Sequence, residues 1–207
     1  LGWSIQRGTK AAQKAPDDAA QQCYKLCLRC AFLIEFHTIP AACIVNSDQM
    51  QLAFQFGGNT TWADHGAQQV PVLGKEEKRA CTVVTGLSMG GTLLPFQSVW
   101  QGYKPKSLPF SGRANDPVLH PSQAAGHLFT LSKTRTYWST LETMQVYVDD
   151  LLAPYLRNAN QHTGRAPQAD CVWVIDAWKV HRGEPFRQWM SDTYPWIHLL
   201  FVPAGCT

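Results

Sequence analysis

Two aspartates placed at the ends of short apolar runs are the strongest chemical signal in this chain. One closes Cys171-Val172-Trp173-Val174-Ile175-Asp176, which continues as Ala177-Trp178-Lys179-Val180-His181-Arg182. An apolar run rich in β-branched and aromatic residues reads as a buried strand with no face left for water. A carboxylate at the end of such a strand is costly unless a metal, a basic side chain or backbone donors pair with it. The other sits in Cys43-Ile44-Val45-Asn46-Ser47-Asp48-Gln49, again a β-branched run with one Asp near its end. Two such strands side by side would bring Asp48 and Asp176 to one gap, and two carboxylates facing one gap suit a divalent cation. The competing reading is that each caps a turn or a helix, as Asp commonly does.

A second constellation is Cys23, Cys27 and Cys30, with His37 or Cys43 as a candidate fourth zinc ligand. Zinc sites usually combine a tight Cys-x-x-Cys knuckle with a second pair elsewhere, and the sequence offers no second pair. Small buried hydrophobes on the core face of one helix are the better account of these thiols. Seven cysteines, an odd number without framework spacing, point to free thiols in a reducing compartment.

The third is electrostatic. Between Gly102 and Thr136 the basic residues Lys104, Lys106, Arg113, Lys133 and Arg135 face a single acid, Asp116, with Tyr103, Phe110 and Phe129 interleaved. Basic loops with aromatic residues suit nucleic acid. A plain surface loop is the alternative.

These groups need a scaffold. A length of 207 residues suits one domain, or one with a small appendage, and 45% hydrophobic residues are ample for a core. The formal charge of +3 permits a polyanionic partner without demanding one. No apolar run approaches the length of a membrane-spanning helix, so no membrane partner is expected. Leu1-Gly2-Trp3 carries neither an initiator Met nor a signal-peptide pattern. Residues 1–16 read as a linker from an N-terminal part outside the chain, and residues 17–207 as one core.

Helical periodicity and an acidic start predict a helix over Asp17–His37. Ala41–Phe54 reads as the first strand. A polar connection follows, anchored by Trp62 and holding the charge run Lys75-Glu76-Glu77-Lys78-Arg79, a solvated turn or a contact surface. Ala80–Met89 and Thr92–Trp100 read as a hairpin around a two-residue Gly90-Gly91 loop. Ser139-Thr140-Leu141-Glu142 has the form of a capping box and starts a helix over Ser139–Arg157. Its stripe of Leu141, Met144, Val148, Leu151 and Tyr155 is core. The Asp176 strand, a helix from Pro185 with Phe186, Trp189 and Met190 on one face, and a strand over Ile197–Val202 complete the order. A meander followed by strand-helix-strand crossovers implies an α/β fold with a mixed five-stranded sheet flanked by helices.

That order, with an Asp on the first strand and another on the fourth, resembles the ribonuclease H-like fold of DDE transposases. Val45-Asn46-Ser47-Asp48-Gln49 resembles the Asn-x-Asp-Glu/Gln segment holding the first acid in pogo-like DDE superfamily endonucleases, the group that includes jerky and centromere protein B type domesticated copies. Val174-Ile175-Asp176-Ala177-Trp178-Lys179-Val180-His181 resembles the second-acid segment, in which Asp is usually followed by Asn and then by His. Phe201-Val202-Pro203-Ala204-Gly205-Cys206-Thr207 resembles the Pro-Pro-x-x-Thr segment closing the fifth strand. Gly74-Lys75-Glu76-Glu77-Lys78-Arg79-Ala80 and Lys133-Thr134-Arg135-Thr136-Tyr137-Trp138 also look like segments of that branch. Ala177 departs from the pattern, standing where Asn is usual.

The resemblance implies a nuclear, DNA-binding core that cleaves phosphodiesters and transfers strands with two Mg2+ or Mn2+ ions. Asp48 and Asp176 would be the metal ligands, and His181 would orient a metal water or touch phosphate. DNA is the implied partner, and a homodimer of the full-length protein is compatible with it. The family's third acid lies just beyond the Pro-x-x-Thr segment, so residues 1–207 are expected to hold an incomplete set and not to cleave alone. A non-enzymatic DNA- or protein-binding module of the same fold is the alternative.

Overall fold

In the computed structural model, residues 16–53, 80–109 and 119–206 are described. Most of the expected linker, Trp62, the Lys75–Arg79 charge run and Arg113 lie outside them. The described residues form one six-stranded sheet with the order β4-β3-β2-β1-β5-β6. Its strands are β1 (Ile44–Ala53), β2 (Ala80–Ser88), β3 (Gln97–Trp100), β4 (Leu128–Leu131), β5 (Cys171–Asp176) and β6 (Ile197–Val202). β1, β2 and β3 pair antiparallel, whereas β4 joins β3, and β5 and β6 join β1, in parallel. Five strands therefore run one way and β2 alone runs the other.

The expected meander and the two parallel strands are present, but the sheet has six strands rather than five. The extra strand, β4, lies inside the stretch read as a long loop, behind the short helix α2 (Leu119–Ala124). All four of its residues are half-buried, so it shows no alternation of apolar and polar positions. The hairpin also differs. Ser88 N donates to Thr92 O and Gly91 N to Ser88 O, which encloses three residues rather than two. Gly91 takes the left-handed conformation, at φ 87°, as a three-residue hairpin loop requires. Pro95 has no N–H to give the ladder, and Phe96 N donates sideways to His127 Nδ1, so the strand expected from Thr92 starts only at Gln97.

One face of the sheet is covered by a long helical element in three pieces: α3 (Leu141–Tyr147), a π turn (Val148–Leu152) and α4 (Ala153–His162). Its cap is one residue later than the sequence suggests. Thr140 accepts from Thr143 N while Thr143 Oγ1 accepts from Thr140 N. The element also runs five residues past Arg157. Pro154 explains the π turn, because proline removes a helical donor and crowds the carbonyl four residues back, and a widened turn accommodates it. Tyr147, Leu152 and Leu156 from this element pack with Val45, Trp173 and Ile175 from the sheet as fully buried core. The helix α6 (Glu184–Thr193) adds Phe186 and Met190 to the same cluster, with Pro185 in its first turn.

The helix α1 (Ala19–His37) packs along β6 at the sheet edge. Leu26, Cys30, Leu33 and Ile34 touch the core, whereas Cys27 is exposed and Cys23 half-exposed. Of the three thiols expected on the core face, Cys30 alone packs against the core, since the inward stripe follows the leucines. All seven cysteines are unpaired.

Gly86 on β2 is required by a close approach. A Cβ there would stand 2.6 Å from Tyr147 Oη and 3.3 Å from both Leu94 Cδ2 and Ser47 Oγ. Its backbone is ordinary strand, so the demand is for space alone. Gly86→Ala is expected to cost about 1–3 kcal/mol as an overpacked core position, read as a lower urea midpoint with an unchanged slope.

Candidate functional site

The site is built on the β1–β5 pair. The parallel register matches Ile44 with Val172, Val45 with Trp173, Asn46 with Val174 and Ser47 with Ile175. One step further along both strands stand Asp48 and Asp176. Side chains alternate faces with period 2, so the two aspartates share a face with Asn46 and Val174. Neighbouring strands lie about 4.8 Å apart. Asp176 ends β5 as expected, whereas Asp48 is not at a strand end but in the middle of β1, which runs on to Ala53 beside β2.

The residues between them hold the strands rigid from the other face. Trp173 Nε1 donates to Ser47 Oγ at 3.0 Å, and Ser47 Oγ lies 2.9 Å from Tyr147 Oη. Tyr147 and Trp173 are fully buried, and burial pushes the Tyr147 hydroxyl up to about 12, so it stays neutral. The strand that displays Asp48 is thereby pinned one residue earlier to both β5 and α3.

His181 lies in the single-turn helix α5 (Lys179–Arg182) and is buried. Its Nδ1 is 3.0 Å from Asp176 Oδ1, and its Nε2 is 3.3 Å from Gln49 Nε2. Trp178 and Phe186 pack against the ring, at 5.4 and 5.8 Å between centroids. Burial drives its pKa below the ordinary imidazole range, although the hydrogen bond and charge of Asp176 and the charge of Asp48 pull it upward. The ring is therefore neutral near pH 7. Nδ1–H then donates to Asp176, and Nε2 accepts from the Gln49 amide.

Each aspartate keeps one oxygen uncommitted. Asp48 Oδ1 accepts from Gln49 N at 2.8 Å and Asp176 Oδ1 from His181, while the second oxygen of each has no hydrogen-bond partner among the described residues. Two solvent-facing carboxylate oxygens on adjacent strands are a donor set that fits a hard divalent cation.

The basic residues gather elsewhere on the same end of the sheet. Lys104 and Lys106 follow β3, and Lys133 and Arg135 follow β4; all four are exposed. Tyr103, Ser107 and Leu108 from the first loop line one groove of about 500 Å³ with Thr134 and Arg135 from the second. Because β1, β3, β4 and β5 run the same way, these loops leave the sheet at the end that carries Asp176. Three strand spacings, about 14 Å, separate β4 from β1 across the sheet.

Gln49, Ser47 and Tyr147 were not expected to belong to the site. Ser47 and Gln49 are adjacent to Asp48 and alternate with it, which is the one signal that could have marked them. Tyr147 gives no local signal, because its contact with Ser47 spans 100 positions.

No protein-family model matches the sequence, nor does any curated protein. Solved structures do match. The chain is similar to the pre-cleavage Mos1 transpososome, with a TM-score of 0.54 and 8% identity over 99% of this chain and 49% of that one. It is also similar to the Mos1 mariner paired end complex with Mn, with a TM-score of 0.49 and 9% identity over 97% of this chain and 47% of that one. The Mos1 strand transfer complex gives 0.46 and 9% over 97% and 46%. The chain thus spans about half the length of the solved chains it matches. With the first of these it shares the fold: a mixed sheet flanked by helices, of the ribonuclease H-like kind found in transposases.

Proposed function

We propose that this chain is the core of a DDE-type transposase or transposase-derived endonuclease that acts on DNA. The observation that carries this reading is that Asp48 and Asp176 directly follow Ser47 and Ile175, the last paired residues of two neighbouring parallel strands, and each has an uncommitted oxygen. In this reading Asp48 and Asp176 hold Mg2+ or Mn2+, two ions in the complete set. Bound there, the ions would stabilise the attacking and leaving oxygens of a phosphodiester displacement. His181 acts through Asp176, fixing its rotamer by the Nδ1 hydrogen bond, and Gln49 fixes His181 in turn. Nuclear action and self-association of the full-length protein belong to the same proposal.

Manganese titration followed by electron paramagnetic resonance tests it. Mn2+ should bind the wild type and lose affinity in both Asp48→Asn and Asp176→Asn. Unchanged binding in the two variants would sink the reading.

DNA contact is assigned to Lys104, Lys106, Arg113, Lys133 and Arg135, with sequence-independent and salt-sensitive binding. Each phosphate contact contributes about −0.9 to the slope of log K against log salt on duplex DNA. Lys133→Ala and Arg135→Ala are each expected to lower the slope by about that amount. Fluorescence anisotropy at several salt concentrations measures it, and slopes identical to wild type would remove these residues from the interface.

Ala177 favours a second reading, a module that binds DNA or protein without cleaving. It stands beside Asp176, where the resembling family usually has an amide side chain. Retained DNA binding without Mn2+ binding would select this reading.

A further inference from the structure

A second group of ligand-type side chains converges at the other end of β5. His37 ends α1, Asp170 immediately precedes β5, and His198 is the second residue of β6. His37 Nδ1 lies 2.9 Å from Asp170 Oδ2, and His198 Nε2 lies 2.7 Å from Asp170 Oδ1. The ligand atoms of all three residues fall within 4.8 Å of one another. Asp170 and Asp176 stand at opposite ends of β5, six steps apart, roughly 20 Å along the strand, so this is not the aspartate pair.

We propose that His37 Nδ1, His198 Nε2 and the Asp170 carboxylate form a zinc site that ties the end of α1 to the starts of β5 and β6. This is independent of the function proposed above. Two imidazole nitrogens and one carboxylate are a borderline-soft set that suits Zn2+ and, in its place, Co2+. Mg2+ prefers oxygen ligands throughout. The side chains are 23%, 38% and 28% exposed for His37, Asp170 and His198, which admits an ion and leaves a fourth tetrahedral position to water.

The ligand residues are held in place without the ion. Arg165 donates from Nη2 to His37 O at 3.2 Å and from Nη1 to Asp170 O at 3.0 Å. Cys171 N donates to Trp196 O at 2.8 Å, closing β5 onto the approach to β6. The imidazole rings of His37 and His198 lie 4.8 Å apart, centre to centre. In the metal-free form Asp170 accepts a hydrogen bond from each ring. Its carboxyl is opposed by burial, yet the hydrogen bonds and charges of His198 and His37 hold it below the ordinary carboxylate range. For metal to bind, each ring places its lone pair on the inward nitrogen. The proton moves to His37 Nε2 and His198 Nδ1, neither of which has a hydrogen-bond partner among the described residues. Among the described residues, Arg165 is the one cation touching the backbone of these ligands. It opposes a dication and keeps the affinity below that of a closed four-ligand site.

The test uses the wild-type chain with histidine ring nitrogens labelled by 15N. Adding one equivalent of Zn2+ should shift the His37 Nδ1 and His198 Nε2 resonances together and leave His162 unmoved. Co2+ should give the visible absorption band of a tetrahedral site. Removing even an outer-shell partner typically costs 10–100-fold in affinity, so His198→Gln should weaken Zn2+ binding by at least about tenfold. The Asp48→Asn/Asp176→Asn double variant should bind Zn2+ as the wild type does. Unmoved His37 and His198 resonances, or a Co2+ spectrum with thiolate charge-transfer bands, would overturn the site, as would binding lost only in the aspartate variants. Because the first readout needs no substitution, a variant that failed to fold would not shelter the proposal.

Discussion

Asp48→Asn is expected to weaken Mn2+ binding at the β1–β5 edge by about 10–100-fold while leaving the fold intact. Asparagine keeps the shape of the side chain and an Oδ1 that still accepts from Gln49 N, the one hydrogen bond the carboxylate makes among the described residues. What it removes is a negative charge. In the metal-free protein Asp48 and Asp176 repel each other across the strand pair, so losing one charge costs little, within about 0.5 kcal/mol as for other exposed positions. Asp176→Asn should lose metal affinity similarly but also some stability, because the hydrogen bond from His181 Nδ1 loses its charged acceptor. The two variants thus separate by stability and agree in metal affinity. In a longer form of the protein that cleaves DNA, either substitution should lower the rate by about two orders of magnitude or more, since ångström-scale misplacement alone does so. Calorimetric Mn2+ titration beside urea unfolding checks both halves. A stability loss in Asp48→Asn as large as that of Gly86→Ala would mean that the carboxylate is structural instead.

How much of this was legible follows from where the contacts lie in the chain. β1 and β5 announce themselves because each is a β-branched run broken by one Asp, and the sheet then places those breaks side by side. β4 did not, because a four-residue half-buried edge strand lacks any period. Its partner β3 was overextended, since an apolar run does not reveal that Pro95 interrupts the ladder. The capping threonines were displaced by one residue because Ser139 and Thr140 are equally good caps on sequence alone, and only the geometry of Thr143 decides between them. The α1 thiols follow helical spacing, but spacing cannot say which of two adjacent stripes turns inward. Leucines at 26 and 33 won that competition. His37, Asp170 and His198 come together from three elements, and no local pattern links them.

Asn160→Ala is expected to destabilise the chain by about 3 kcal/mol, from the loss of a buried amide and the hydrogen-bond network it makes. Asn160 is fully buried on α4, three residues past Arg157, where the helix is expected from sequence to end. Its Nδ2 donates to Ala169 O at 2.8 Å and to Pro167 O at 3.3 Å. Its Oδ1 accepts from Arg165 Nη1 at 2.7 Å and from the Cys43 thiol at 3.1 Å. Nδ2 also approaches Cys171 Sγ at 3.3 Å. One amide thus joins α4, the loop before β5, and the residues that open β1 and β5. Alanine leaves the Pro167 and Ala169 carbonyls without this donor, and the Arg165 guanidinium and the buried Cys43 thiol without their acceptor. Asn160→Asp separates shape from hydrogen bonding. It keeps the acceptor for Arg165 but turns an oxygen toward the carbonyls of Pro167 and Ala169, so it too should be destabilised despite its equal size. Asn158→Ala, two residues earlier and exposed, should stay within about 0.5 kcal/mol of wild type. Urea midpoints at constant slope give these differences. The substitution also reaches the zinc site, because Arg165, released from Asn160, is the residue that holds the His37 and Asp170 backbones. Asn160→Ala should therefore weaken Zn2+ binding together with stability, whereas Gly86→Ala, which crowds Tyr147 and Ser47 rather than Arg165, should lower stability alone. Equal Zn2+ affinities in the two variants would show that Arg165 does not need Asn160 to position those ligands.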